Sequence, residues 1–274
     1  MIEFSSFKKN KLFMIGVGMS GMVILCGIFA PWIATHGMTE GTLQYRLKPP
    51  STDHLFGTDQ LGRDVFSRVI HGARLSLLSG SMVVLISAVI GVSLGVLAGY
   101  RGGIIDNFLM RLTDLLLAFP SFLLAMLVVT ILGLGLKNAV LAVAIAYIGP
   151  LSRLARGTTI KLKGFEFVEA ARAVGGGPWH NILVHILPNI ISSILIQMAL
   201  NFGAAIVDIA GLSFLGLGAQ PPQPEWGAML SSGRYYVQTA WWLCTFPGLA
   251  IMFLVLACVF VGDGFREILD PKHG

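Results

Sequence analysis

The sequence predicts an all-α polytopic membrane protein with six transmembrane helices, and three observations carry that reading. Of the 274 residues, 55% are hydrophobic and only 12% charged, against about 25% charged in an ordinary soluble domain. The mean hydropathy is +0.77. The apolar residues form continuous runs that match the roughly 20 residues a membrane helix needs, whereas a transmembrane barrel would show alternating segments of about 10. Soluble globular and barrel classes are thereby excluded.

The spans can be taken in order. Leu12 to Ala34 carries no charge and is longer than the roughly 7–15-residue apolar core of a signal peptide, so it reads as a retained first helix. Leu75 to Tyr100 is the second; in it Ser87, Gly91, Gly95 and Gly99 recur every four residues, a face of small side chains that lets another helix approach closely. Leu115 to Ser152 divides at the Gly133/Gly135 turn signal into a third and a fourth helix. Pro188 to Leu212 is the fifth span and Trp241 to Gly262 the sixth.

With the N-terminus in the cytoplasm, twelve of the 19 Lys+Arg residues fall on the cytoplasmic side and seven on the other, which favours cytoplasmic placement of both termini. The net charge of +5 is thus explained by loop bias, and nucleic acid is not an expected partner. Cys26, Cys244 and Cys258 all lie in apolar runs, so no disulfide framework is expected.

Between the first two spans, residues 35–74 form an external segment. Leu61, Val65, Phe66, Val69, Ile70 and Ala73 recur at helical spacing, with Arg63, Asp64, Ser67 and Arg68 opposite. A short amphipathic helix follows, lying on the membrane surface or against the bundle. His36, His54 and His71 also lie here, but their wide spacing and the lack of a completing acid or cysteine predict surface histidines and no metal site. The chain accordingly divides into residues 1–74, the first helix with its external segment, and a five-helix core, 75–274, carrying a cytoplasmic connection at 153–187.

That connection is built for docking. Phe165 to Val174 predicts a helix with Ala170 and Ala171 at its middle, Gly175, Gly176 and Gly177 supply positive-φ positions to end it, and Pro178 suits the first turn of a second helix. In the second helix Trp179, Ile182, Leu183, Ile186 and Leu187 form an apolar stripe, with His180, Asn181 and His185 off it. Among polar residues within the spans, Gln197, Asn201 and Asp208 share one face of the fifth helix. Ionisable groups in membrane helices usually face the bundle interior or a water path, so these three are candidates to line a translocation path. Arg111 with Asp114, and Asp263 with Arg266, read as intrahelical ion pairs at helix ends.

At Glu169-Ala170-Ala171, Gly175 and, nine residues on, His185-Ile186-Leu187-Pro188, the sequence resembles the EAA signature of the integral-membrane permease subunits of bacterial ABC importers. His185 stands where the pattern has an aliphatic residue. Gly57-Thr58-Asp59-Gln60-Leu61-Gly62-Arg63-Asp64-Val65-Phe66-Ser67-Arg68 and Leu212 to Gly218 with the following Pro221, Pro222, Pro224, Glu225, Trp226 and Gly227 narrow the resemblance to the dipeptide, oligopeptide and nickel permease branch. The resemblance implies the type I importer permease fold, a bacterial inner-membrane location, and an EAA loop (Glu169, Ala170, Ala171, Gly175, Trp179, Ile182, Ile186, Leu187 and Pro188) that couples to cytoplasmic ATPase subunits. It also implies a second homologous permease, two ATPase subunits and an extracytoplasmic solute-binding protein. The chain lacks a GxxxxGK[ST] phosphate loop, so ATP and Mg²⁺ would be used by the separate ATPase chains, with no cofactor on this one. Short peptides are the expected cargo, with nickel or a nickel chelate the alternative. An ATP-independent secondary transporter would show inverted repeats and broken helices carrying acids at the midplane; an intramembrane enzyme would need HExxH or GxSxG, and neither motif occurs.

Overall fold

The computed structural model describes residues 10–269. Among these residues ten helices carry the architecture: α1 (Lys11–Ile28), α2 (Ala30–Ile33), α3 (Val65–Arg101), α4 (Gly103–Leu117), α5 (Ser121–Leu132), α6 (Leu136–Lys163), α7 (Glu166–Ala173), α8 (Pro178–Phe214), α9 (Trp226–Gly233) and α10 (Trp242–Leu269). Among the described residues there is no strand, only two isolated bridges, Gly41 with Arg63 and Thr58 with Asp64. Helices α1, α3, α6, α8 and α10 are each long and apolar enough to cross a membrane, and α4 with α5 is a sixth candidate as a bent pair. We call the end of the bundle where α3 begins the head and the end where it finishes the base. Asn10 Nδ2 donates to Glu267 at 2.7 Å, so the first helix starts and the last one finishes at one end.

The centre is α3 against α6, and the small-residue stripe is the reason. A Cβ on Gly95 would stand 2.2 Å from the Ser152 carbonyl oxygen, and one on Gly91 2.9 Å from that of Ile148. Only hydrogen fits between those backbones. Around this pair α5, α6 and α8 enclose Val83, Val129, Val143, Ile209 and Leu212, all buried. The outer faces keep apolar side chains such as Met22, Leu25, Leu85 and Val89 exposed, as a lipid-facing surface requires.

Five expectations change shape. The third span is not straight: α4 and α5 meet at 92°, because Pro120, at an extended φ/ψ of −55°/134°, has no N–H to continue a helix and disfavours helical geometry at Phe119. The first span stops at Ile28 and restarts as α2 with Pro31 in its first turn. The connection at 153–187 is shorter than its sequence suggests, since 153–163 is the end of α6, where Thr159 faces Gly99 of α3 and is fully buried. Asp114 does not pair with Arg111 but with Arg153 of α6 at 2.7 Å, while Asp106 holds Arg156 through two bonds of 2.5 and 2.7 Å; these bonds pin α4 to α6. Among the described ion pairs none joins Asp263 to Arg266.

The amphipathic helix of the 35–74 segment is also different. It is no separate surface helix but the first turns of α3, which runs unbroken through Arg74 and Leu75. At 37 residues and about 1.5 Å per residue α3 is about 55 Å long, well beyond a hydrocarbon core of about 30 Å. Its polar face is as buried as its apolar one: Arg63, Asp64, Ser67 and Arg68 are all buried, and Leu61 is exposed. Arg63 Nε bonds Asp59 at 2.7 Å, and Arg68 lies 3.7 Å from the same carboxylate while donating to the carbonyls of Met38 and Pro222. Asp59 also accepts from the N–H groups of Leu61 and Arg63, and Asp64 caps α3 by accepting from Ser67 N–H at 2.8 Å. Thr58 Oγ1 bridges Tyr45 and Lys48. The segment Gly57 to Arg68 is therefore a polar knot. It is covered by α9, whose Trp226 indole donates to the Val69 carbonyl at 2.9 Å. Glu225 caps α9 by accepting from Gly227 and Ala228. Burial pushes its carboxyl above the usual carboxylate range, against the pull of those N–H donors.

The histidines are not scattered either. His36 and His54 converge on Asp64, the acid that spacing alone does not associate with them, while His71 turns to the Ser67 carbonyl.

Candidate functional site

At the base the chain makes an elbow between α7 and α8. Helix α7 ends through a paired closure: Gly175 N–H donates to the Arg172 carbonyl at 3.0 Å and Gly176 N–H to the Ala171 carbonyl at 2.9 Å, the bond pattern of a Schellman cap. Gly175 has φ +91° and open space around a Cβ, so it is required for conformation; Gly176 would place a Cβ 2.5 Å from the Ala171 oxygen, so it is required for room. Gly177 has an ordinary φ of −67°, and Pro178 opens α8 as expected. Only one of the three glycines thus supplies the positive φ.

The second helix departs from a regular 3.6 period, because Asn181–Ile186 is a π-helical turn. The widened turn rotates the stripe. Ile182, Ile186, Ile190 and Ile194 face inward and pack on Val96, Tyr100 and Ala155, while Trp179 is 65% and Leu183 59% exposed. Asn181, expected off the stripe, is fully buried, and its Nδ2 donates to the Gly176 carbonyl at 3.0 Å and approaches the Tyr100 hydroxyl at 3.4 Å. Tyr100 is the second anchor. Its ring takes Arg172 of α7 at 5.0 Å and Lys163 at 5.6 Å, and Lys163 also donates to its carbonyl at 2.6 Å. The elbow is thus clamped to the ends of α3 and α6 by residues that no spacing rule singles out, since their partners lie in other spans.

Of the nine loop residues named from the sequence, Ile182 and Ile186 are buried and Ala171 and Leu187 half-buried; Glu169, Ala170, Gly175, Trp179 and Pro188 are exposed. Beside them Phe165, Phe167, Val174 and Val184 are exposed as well. The elbow therefore has a locked inner face and an apolar outer one.

The three polar residues of α8 do not form one cluster. Gln197 donates to Asn201 at 2.8 Å, and Asn201 is buried with its Nδ2 lacking a partner among the described residues. Asp208, half-buried, accepts from the Tyr147 hydroxyl of α6 at 2.8 Å. Seven residues of helix separate Asn201 from Asp208 by about 10 Å on nearly the same face.

The bundle of apolar spans with a helical elbow braced at one end has the type I importer permease fold. Its backbone is similar to a chain in the solved inward-facing MetNI methionine ABC transporter, with a TM-score of 0.60 at 19% identity, covering 75% of this chain and 98% of that one. The chain belongs to the family described as the binding-protein-dependent transport system inner membrane component, whose model matches residues 91–273. Residues 4–50 match the N-terminal transmembrane domain of oligopeptide transport permease C. Among its relatives are the dipeptide transport system permease DppC of Alkalihalophilus pseudofirmus, 46% identical over 98% of this chain and 88% of that protein, and the glutathione transport system permease GsiD of Pectobacterium atrosepticum, 49% identical over 81% and 74%. The probable D,D-dipeptide permease DdpC of Escherichia coli is 46% identical over 92% and 85%. The chain is thus a multi-span inner-membrane permease component of a bacterial ABC importer, a transport subunit and not an enzyme.

Proposed function

We propose that this chain forms half of the pathway of an ATP-driven importer of short peptides and takes its driving force through the α7–α8 elbow. The observation that carries the reading is the elbow's two-sidedness: an inner face clamped by Asn181 and Tyr100 to α3 and α6, and an outer face of exposed Phe165, Val174, Trp179 and Leu183. Exposed apolar patches of this kind mark protein contacts, and a rigid clamp would carry a partner's movement into the bundle. The partner on that face is a cytoplasmic ATPase, which uses the ATP and Mg²⁺. The remaining partners are a second, homologous permease, a second ATPase subunit and an extracytoplasmic solute-binding protein. The names of the relatives given above favour peptides over nickel. The two family matches, 4–50 and 91–273, are compatible with an N-terminal unit, 1–74, set against a five-helix core, 75–274.

In this reading the base, with both termini, is cytoplasmic. Ser51→Cys at the head and Glu166→Cys at the base, both exposed positions, should react with a membrane-impermeant thiol reagent from opposite sides, the first from outside; the reverse pattern removes the ATPase assignment. Import is tested in proteoliposomes holding the assembled transporter, where peptide uptake should require ATP inside. Gln197, Asn201 and Asp208 line the path. Asp208→Asn, which keeps an acceptor for Tyr147, should lower uptake while ATPase subunits still co-purify and hydrolyse ATP. Joint loss of assembly and both activities would make Asp208 a packing residue instead.

A further inference from the structure

The head holds a group of side chains outside both the α7–α8 elbow and the proposed path residues of α8. Asp64 sits between His54 and His36: His54 Nδ1 is 2.9 Å and His36 Nδ1 3.9 Å from the same Oδ1, and one ligand atom from each of the three residues lies within 4.8 Å of the others. The imidazoles face each other with centroids 4.6 Å apart at 32°. Asp64 is fully buried at its carboxylate, His54 nearly so, and His36 is 40% exposed at its side chain.

The charges explain why this carboxylate is unusual. Two arginines lie next to it in the knot, yet both turn to Asp59. Asp64 Oδ2 is occupied by capping α3 through Ser67 N–H, with Thr35 Oγ1 at 3.5 Å. Oδ1 is left facing two imidazoles and no permanent cation. A buried carboxylate needs a compensating charge, and two imidazole nitrogens with one carboxylate oxygen are a donor set suited to divalent first-row transition metals. Bonds of about 2.0–2.2 Å to one ion place neighbouring ligands about 3–4 Å apart; the His36–Asp64 separation of 3.9 Å lies in that range, and the 2.9 Å His54–Asp64 hydrogen bond would lengthen by a few tenths of an ångström as the ion replaces its proton. The site opens into a cavity of about 340 Å³ that Glu40 and Asp53 also line. An entry path and further oxygen donors are therefore present.

We propose that His36, His54 and Asp64 bind one divalent transition cation of the Zn²⁺ class, closing the segment after α2, the middle of the head and the start of α3 into one unit. Such an ion departs from the expectation that the chain binds no metal. It is a resident structural ion, independent of what the transporter carries. The His36 nitrogen would exchange its present contact with Thr35 Oγ1, 3.0 Å away, for the metal.

Zn²⁺ is the probe. The full chain, purified in detergent and stripped with chelator, should take up one Zn²⁺ per chain by equilibrium dialysis, and its unfolding temperature should rise on addition. His36→Ala, at the most exposed ligand, should weaken binding at least about 10-fold, the loss that even a supporting outer group produces. His54→Gln, which retains a hydrogen-bond donor for Asp64, tests the second ligand without stripping the cap of α3 and should weaken binding equally. His71→Ala is the control and should bind as the parent does. Uptake that persists in the His36→Ala/His54→Gln double variant, no stoichiometric uptake by the parent, or a thermal shift equal in all variants would overturn the proposal.

Discussion

The head and the base of this bundle are built from opposite materials. At the head, residues 57–68 bury arginines, aspartates and hydroxyls and satisfy nearly all of them internally; at the base, the elbow buries isoleucines and leaves aromatic and aliphatic side chains in the open. The contrast separates two jobs. A knot of mutually paired polar groups specifies one geometry, because each group left without its partner is costly in a buried setting. An exposed apolar face is tolerated when something else covers it. Apart from Asp64 Oδ1, the head thus pairs its own polar groups, whereas the base leaves an apolar face uncovered.

That comparison can be broken most forcefully at Asp59. Asp59→Ala leaves Arg63 and Arg68 buried without their carboxylate, a loss of about 3–5 kcal/mol for a broken buried pair. The chain should lose yield and unfold at lower temperature in detergent; a variant as stable as the parent would show the knot to be ornamental.

A smaller effect is expected at the elbow. Gly175→Val forces a β-branched residue to φ +91°, a strain of about 1–3 kcal/mol confined to one turn with open space around it. The chain should still insert, and its unfolding temperature should fall less than in Asp59→Ala, but fewer ATPase subunits should co-purify. Normal co-purification together with normal import would show that the turn does not set the docking geometry.

The smallest change in the chain's own stability belongs to Trp179→Ala. With its side chain mostly exposed and outside the clamp, the substitution should alter stability by no more than about 0.5 kcal/mol, yet ATPase capture should fall. A substitution that unfolds the chain here, or leaves capture intact, would erase the distinction between locked inner face and docking outer face.

Much of this architecture could be read in advance. The apolar runs, the glycine stripe on the second span and the Gly175–Pro178 break were legible because each is a local pattern with a local cause. Other features were hidden for physical reasons. Arg63 and Arg68 read as a solvated face, since helical periodicity sorts polar from apolar residues but does not reveal a carboxylate that stands before the helix begins; Asp59 reaches both arginines only after the Gly57 and Gly62 turns at φ +72° fold it back. Asn181 lay off the stripe on a regular helical wheel, and the π turn at Asn181–Ile186 put it inside.

By itself the sequence determined the class of protein, its division into successive apolar segments and the position of the elbow, because hydrophobic length, small-residue spacing and turn chemistry act over a few residues at a time. Tertiary structure alone decided that the head of α3 is buried on both faces, that Pro120 turns α4 and α5 through 92°, that Tyr100, Lys163, Arg172 and Asn181 meet at one clamp, and that His36 and His54 converge on Asp64. Each of these depends on groups far apart along the chain finding the same place, and their energies of pairing arise only once the surrounding helices have excluded water.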